Sequence, residues 1–245
     1  MSETATEPSA PAQPDPPKDS RHRDFGDIFE LLATILLAVA VVSTAWAGFQ
    51  SAKWGGVQAS NYSSAGAART ESVRFSTLAG QQSSVDVTTF FTWLTAVVED
   101  IDRGDIEAPV DATQYEPTPR TLSGFTYERL RDEFRPAVDA WLDTNPFIEE
   151  SAPPTPFAMD EYQLAADAES QRLLLEAQTR ASVATEANQT SDNYVLTAVL
   201  FASALFFAAL ATKLVRARFK IACLSIAALV FLGTIAYVLS LPIEV

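Results

Sequence analysis

The sequence predicts an all-α membrane protein, with three transmembrane helices, a long antiparallel helical-hairpin stalk and a small helical headpiece outside the membrane. Three observations carry that prediction. The apolar runs Leu31–Phe49, Tyr194–Leu214 and Ile221–Leu241 each have about the ~20 residues a helix needs to cross a bilayer, and none has a charged residue in its middle. The stretch Phe25–Arg103 runs 79 residues without a proline and passes from membrane-type to water-type composition without a turn signal. Two rows of small or apolar residues recur alternately three and four positions apart, as the seam between two packed helices does.

The outward row reads Ala45, Gly48, Ala52, Gly55, Ala59, Tyr62, Gly66, Arg69, Val73, Ser76, Gly80, Ser83, Val87, Phe90, Leu94, Val97, Ile101. Its small members permit close backbone approach, and its larger ones from Val87 onward require a wider core. A competing reading breaks the helix at Gly55-Gly56, because each glycine costs a helix roughly 1 kcal/mol relative to alanine. The return row reads Ala166, Ser170, Leu173, Ala177, Arg180, Ala184, Ala187, Ser191, Tyr194, Ala198, Phe201, Leu205, Ala208. Antiparallel pairing of the two rows makes partners sum to about 242 or 243, which sets Ala59 against Ala184 and Tyr62 against Arg180.

In chain order, residues 1–24 are proline-rich and too poor in apolar surface to fold, so they are expected to be a disordered cytoplasmic tail. Transmembrane helix 1 is expected over 25–49 and the outward stalk helix over 50–103. An acidic headpiece follows over 104–159, with a helix at 125–145 bent by Pro136 and burying Phe125, Leu130, Phe134, Val138, Trp141 and Leu142. The return helix is expected over 160–193, capped by Asp160, followed by transmembrane helix 2 at 194–214. A basic link at 215–220, transmembrane helix 3 at 221–241 and an extracytoplasmic end at 242–245 complete the chain. At 1.5 Å per residue the outward arm is ~80 Å long and the return arm ~50 Å, and a 125–145 helix of ~30 Å matches the difference.

Lys213, Arg216, Arg218 and Lys220 cluster around the link between the second and third spans, which places that link in the cytoplasm by the positive-inside rule. Three spans then put residues 50–193 outside and the N-terminus inside, in agreement with the basic residues Lys18, Arg21 and Arg23. Ala45-Trp46-Ala47 after an apolar run imitates a signal-peptidase site, but the long preceding tail and the acidic Asp24, Asp27 and Glu30 depart from that pattern.

The net charge is −14, and between the first two spans there are 10 Lys/Arg against 23 Asp/Glu. Such a surface repels nucleic acid and anionic lipid. The single cysteine, Cys223, lies in the third span and the single histidine, His22, in the tail, so no intrachain disulfide can form and no Cys/His chemistry is available outside the membrane. Asp100, Asp102, Gly104, Asp105 and Asp111 loosely follow the alternation of a calcium loop, yet the turn glycine and the terminal glutamate are misplaced, so an acidic turn is expected there. Arg69 and Arg180 are the charges within the two rows and are read as register-setting residues, with Glu176 or Glu169 as partner of Arg69. Trp46, Phe49, Trp54 and Tyr62 form an aromatic group at the outer boundary. Asn61 and Asn188 stand in glycosylation sequons, which matter only in a eukaryotic secretory pathway. No nucleophile elbow, phosphate loop or metal-spaced set occurs, so no catalytic, cofactor-binding or metal residues are expected.

The stretch Trp46-Ala47-Gly48-Phe49-Gln50-Ser51-Ala52-Lys53-Trp54, placed after a first span and before an Ala-rich helix and two late spans, resembles uncharacterised bacterial membrane-protein families. These are small three-span proteins defined only as a domain of unknown function. The resemblance implies a bacterial inner membrane and carries no functional residues. The function expected is a non-enzymatic integral membrane protein that presents its acidic helical module to an envelope-protein partner or to further copies of itself. The alternative is an oligomeric channel or transporter accessory subunit lined by Ser43, Thr44, Ser203, Ser225 and Thr234.

Overall fold

The computed structural model describes residues 20–107, 115 and 117–244, with side chains from Ile28 onward. It is all-helical, and no strand occurs among the described residues. Helix α1 spans Ser20–Arg103, α2 Leu122–Tyr127, α3 Arg135–Asp143, α4 Ala165–Lys213 and α5 Ala217–Val238, with a 3-10 turn at Pro156–Ala158. Helices α1, α4 and α5 are each long and apolar enough to cross a membrane. Residues 1–19, Asp111 and Val245 lie outside the described residues, but residues 20–24, expected in the tail, are already helical. Gly55 and Gly56 both lie inside α1, so the helix is continuous there, as expected, and the competing break does not occur.

The chain divides into two compact units, one formed by residues up to Gly56 and from Asn188 on, the other by Val57–Ala187. In the first, alanines at heptad spacing, Ala33, Ala40 and Ala47, are buried, as are Phe201, Ala204, Ala208 and Ala211 of α4. Small residues in these positions let apolar helices approach closely where lipid supplies no hydrophobic driving force between them. Phe201 of α4 meets Phe231 of α5 with ring centroids 5.6 Å apart.

In the second unit, the α1 segment from Val57 and the α4 segment to Ala187 run side by side in opposite directions. Their contact is braced by reciprocal hydrogen bonds: the Ser72 hydroxyl donates to the Ser170 carbonyl (2.8 Å) and the Ser170 hydroxyl donates to the Ser72 carbonyl (2.9 Å). A related pairing joins Ser51 and Ser191 in the first unit, with the Ser191 hydroxyl donating to the Ser51 carbonyl at 3.0 Å. Both pairs sum to 242. On α4 the buried positions Ala166, Ser170, Leu173, Ala177, Ala184 and Ala187 are those the spacing predicts, whereas Arg180 is exposed and pairs with Glu176 on its own helix.

On α1 the buried row lies mostly one residue before the expected one. Ala47, Ala65, Ser72, Ala79, Asp86 and Trp93 are buried in place of Gly48, Gly66, Val73, Gly80, Val87 and Leu94. In the folded chain Ala and Ser fill the contact and supply the hydroxyl braces, while a Cβ on Gly48, Gly66 or Gly80 would meet nothing within 4 Å. The shift also moves Tyr62 off Arg180, and its hydroxyl stands 3.4 Å from that of Thr185.

Three further boundaries differ from expectation. The 125–145 helix is two short helices, because Pro136 occupies the first turn of α3, where its missing N–H costs nothing, and so begins a helix instead of bending one. Asp160 caps no helix; α4 begins at Ala165, after the 3-10 turn that Pro156 opens and a further turn at 160–161. Helix α5 begins four residues earlier than predicted, at Ala217, and the link shrinks to residues 214–216, since Arg218 and Lys220 are good helix formers.

The serine brace gives a direct test of register. In a Cys223→Ala background, Ser72→Cys with Ser170→Cys should oxidise within one chain, since the two hydroxyl oxygens are 3.2 Å apart. Val73→Cys with Ser170→Cys should stay reduced, because Val73 is 62 % exposed and points away. The opposite result on non-reducing gels would restore the glycine-bearing row as the contact.

Candidate functional site

The best-defined constellation of side chains lies in the Val57–Ala187 unit, where α1 changes from small to large buried residues. Phe90, Trp93 and Val97 of α1 are buried with Leu130, Phe134, Val138, Trp141 and Leu142. Phe90 is the centre of an edge-to-face cluster, with ring centroids 5.4 Å from Trp141, 5.7 Å from Phe157 and 6.4 Å from Phe134. Phe134 and Phe157 stack at 5.2 Å. Such geometries add about 0.5–1.5 kcal/mol per pair beyond the area buried. Both indoles are satisfied: Trp93 Nε1 donates to the Tyr115 hydroxyl and Trp141 Nε1 to the Pro153 carbonyl. Of the six residues expected in this core only Phe125 is outside it, 44 % exposed under the guanidinium of Arg129.

Two carboxylates are buried against these aromatics. Asp86 is fully buried, and Arg131, in the turn between α2 and α3, grips both its oxygens, Nε to Oδ1 and Nη2 to Oδ2, each at 2.9 Å. The Tyr162 hydroxyl donates to Asp86 Oδ2 at 3.2 Å, and Glu133 accepts from the remaining side of Arg131. Asp100, 1 % exposed, accepts the backbone N–H of Ser123 through Oδ2 (2.8 Å), while Thr121 Oγ1 accepts that of Gly124 (3.1 Å). Two of the orphan N–H groups at the start of α2 are thereby satisfied, one from a residue on α1. Gly124 is required at its position, since a Cβ there would lie 2.1 Å from the Thr118 carbonyl oxygen.

This arrangement also explains the sequence around Gly104. The Gly104 N–H bonds the Ile101 carbonyl and the Asp105 N–H the Asp100 carbonyl, with Gly104 at φ 75°, which is the left-handed glycine closure of a helix C-terminus. Asp100 faces inward as a cap, so the calcium-loop alternation has no common focus among residues 100–105; Asp111 lies outside the described residues. Among the described residues no group of three or more His, Cys, Asp or Glu side chains converges as a metal site would require.

Three phenols around the core are held above their ordinary titration range. Burial is the main cause for Tyr115, Tyr127 and Tyr162; the Asp139 carboxylate, hydrogen-bonded to Tyr127, adds to the shift there, and the charge of Asp86 adds to it at Tyr162. Both oxygens of Asp86 are thus held by structural partners, whereas Asp100 caps α2 through Oδ2 and its Oδ1, without a hydrogen bond, lies 3.6 Å from Arg103 Nη1.

A second constellation belongs to the other unit and uses the stretch Trp46–Trp54. Gln50 is fully buried, and its amide treats residue 244 as a neighbouring strand would: Nε2 donates to the Glu244 carbonyl and Oε1 accepts the Glu244 N–H, both at 3.0 Å. Trp54 Nε1 and the Tyr194 hydroxyl both donate to the Pro242 carbonyl, at 3.1 and 3.0 Å. The segment after α5 is therefore clasped by side chains from α1 and α4. Trp46 and Phe49 lie on the exposed side of α1, 5.8 Å apart. Sequence reading singled out Trp54 and Tyr62 as boundary aromatics and missed Gln50, whose partner is 194 residues away.

No family model, curated protein or solved structure matches the chain.

The buried pair makes a stability prediction. Asp86→Ala should cost about 3–5 kcal/mol by leaving the Arg131 guanidinium without its partner, and Arg131→Ala a similar amount. Denaturation followed by the fluorescence of Trp93 and Trp141 reads this out, and an unchanged midpoint in Asp86→Ala would show the pair to be dispensable. The phenols predict a pH limit with a definite sign. Because their pKa values are raised on folding, the folded state holds protons that the unfolded chain releases above about pH 10. Stability is complete below that pH and should fall as pH rises further. Tyr115→Phe with Tyr162→Phe should blunt the fall, and an alkaline limb identical to that of the unmodified chain would refute the assignment.

Proposed function

We propose that this chain is a non-enzymatic integral protein of a bacterial inner membrane, which presents a helical stalk and acidic headpiece outside the cytoplasm as a surface for protein association. The observation that carries the reading is the placement of a water-type unit between membrane-type helices. Residues 57–187 build an aromatic core with two buried carboxylates, while the flanking helical segments are among the three apolar enough to cross a bilayer. A groove of about 410 Å³ between α1 and α5, lined by Leu32, Ile35, Leu36, Leu224 and Phe231, suits lipid acyl chains.

The cytoplasmic side is assigned by Lys213, Arg216, Arg218 and Lys220, and the bacterial location by the resemblance of Trp46–Trp54. The pore reading is not favoured. Ser43, Thr44, Ser203 and Thr234 each donate to the carbonyl four residues earlier on their own helix, and Ser225 lines the apolar groove.

A reporter active only outside the cytoplasm should work when fused after Val245 and fail when fused at Arg216. Activity at both points, or at neither, would show that one of the three helices does not cross.

A further inference from the structure

We infer that the groove between α1 and α5 holds an acyl chain of an anionic phospholipid, whose phosphate is met by the basic side chains where α5 begins. This rests on the membrane reading above and names the class of lipid that the groove selects.

The groove and the charges lie at the same end of the helices. Its lining runs from Phe29 to Val39 on α1 and from Ile221 to Leu232 on α5, while further along Gln50 of α1 meets Glu244 beyond α5, so the two helices run in the same direction. The groove therefore opens at the N-terminal end of the α5 lining, directly after Lys220. Arg216 is ~7.5 Å from Ile221 along the axis at 1.5 Å per residue. Lys220 is half-buried, which lays its apolar stem along the helix and leaves its ammonium at the mouth.

The dimensions suit a hydrocarbon chain. The lining segments are ~16 Å long, and 410 Å³ over that length is a channel about 6 Å across, roughly half the ~10–12 Å diameter of a helix with its side chains. A helix from a second copy is too wide to enter. Leu36, Leu224, Ala228 and Phe231 give the walls their apolar character, and Ser225 is the one polar side chain on them. Ser43, Ser203 and Thr234 close onto their own helices, whereas the exposed Ser225 hydroxyl is bonded to none of the described residues. It is free to donate to the ester carbonyl that joins an acyl chain to its headgroup.

Charge selects an anionic lipid over a zwitterionic one. Lys213, Arg216, Arg218 and Lys220 fall within eight residues, and no Asp or Glu occurs between Asp192 and Glu244. In the Val57–Ala187 unit Arg74, Arg103, Arg131 and Arg172 each hold a carboxylate. Among the described residues none of the four cations around the link does so, Glu30 at the start of α1 included, and the first turn of α5 has no acidic residue. In a chain of net charge −14 this is an uncompensated positive group beside an apolar groove. Basic residues between helices on the cytoplasmic side bind acidic headgroups, and each Lys or Arg near the surface favours them about fivefold.

The test uses the full chain, purified in detergent and analysed by native mass spectrometry with palmitoyl-oleoyl phosphatidylglycerol or the phosphatidylcholine of the same chains. One phosphatidylglycerol should be retained about tenfold or more over phosphatidylcholine, and inorganic phosphate should not displace it. Arg216→Gln with Lys220→Gln should weaken phosphatidylglycerol about 25-fold, roughly fivefold per charge, and leave phosphatidylcholine unchanged. Ser225→Phe, which fills the groove from an exposed position, should weaken both lipids. The charge pair lies on exposed and half-exposed positions and decides the matter should Ser225→Phe fail to fold. Equal retention of the two lipids would show unselective contact only, and undiminished phosphatidylglycerol binding in either variant would place the lipid elsewhere. Displacement by phosphate would leave an anion site without an acyl chain, and a two-copy mass that Ser225→Phe reduces to one would give the groove to a second copy. Each of these outcomes overturns this inference and leaves the membrane reading intact. Carbonate extraction of native membranes tests that reading separately, and release of the chain would overturn both.

Discussion

The second unit depends on one buried carboxylate. Asp86 stands in a row that is otherwise alanine, serine or aromatic, and taking a carboxylate out of water costs several kcal/mol unless strong partners replace the water. Arg131 supplies a two-pronged contact and Tyr162 a third hydrogen bond. Arg131 belongs to the turn between α2 and α3, and Tyr162 lies three residues before α4. A single side chain on α1 therefore specifies where two separate stretches of chain must land, and a hydrophobic residue there would leave the Arg131 guanidinium without its carboxylate.

That specification matters because the elements it positions are weak alone. Helices of six and nine residues, α2 and α3, fall well below the ~12–15 residues at which an isolated helix becomes marginal in water. Their order comes from what they touch. Asp100 caps α2 from another helix, Gly124 lets the backbone of Thr118 approach, and Trp141 of α3 is pinned by the Pro153 carbonyl while its ring meets Phe90. Two of these contacts, the Asp100 cap and the Phe90 ring, come from α1.

The three apolar helices were legible in the sequence because ~20 uncharged residues in a row have few other uses, and the return row because its alanines and leucines repeat without competition. The buried row of α1 was harder to read, since two rows one residue apart both satisfy the heptad. Ala65-Gly66 and Ala79-Gly80 give no local reason to prefer either. The deciding residues are Ser72 and Asp86, polar side chains that sequence reading places at the surface and that prove buried because their partners, Ser170 and Arg131, are far along the chain. Pro136 was legible as a disruption, but whether it bends one helix or starts another depends on the core that Phe134 and Val138 enter.

Gln50 shows the same limit at the other unit. A glutamine just past an apolar run reads as the first residue to meet water, and nothing nearby contradicts that. Its burial becomes sensible only once the segment after α5 returns, because a primary amide is one of the few side chains that can both donate to and accept from a single residue's backbone, in the manner of a strand. With Pro242 held by Trp54 and Tyr194, that segment gains partners for its carbonyls in the absence of regular secondary structure. Gln50 and Trp54 of the Trp46–Trp54 stretch thus fasten the segment after α5 to α1.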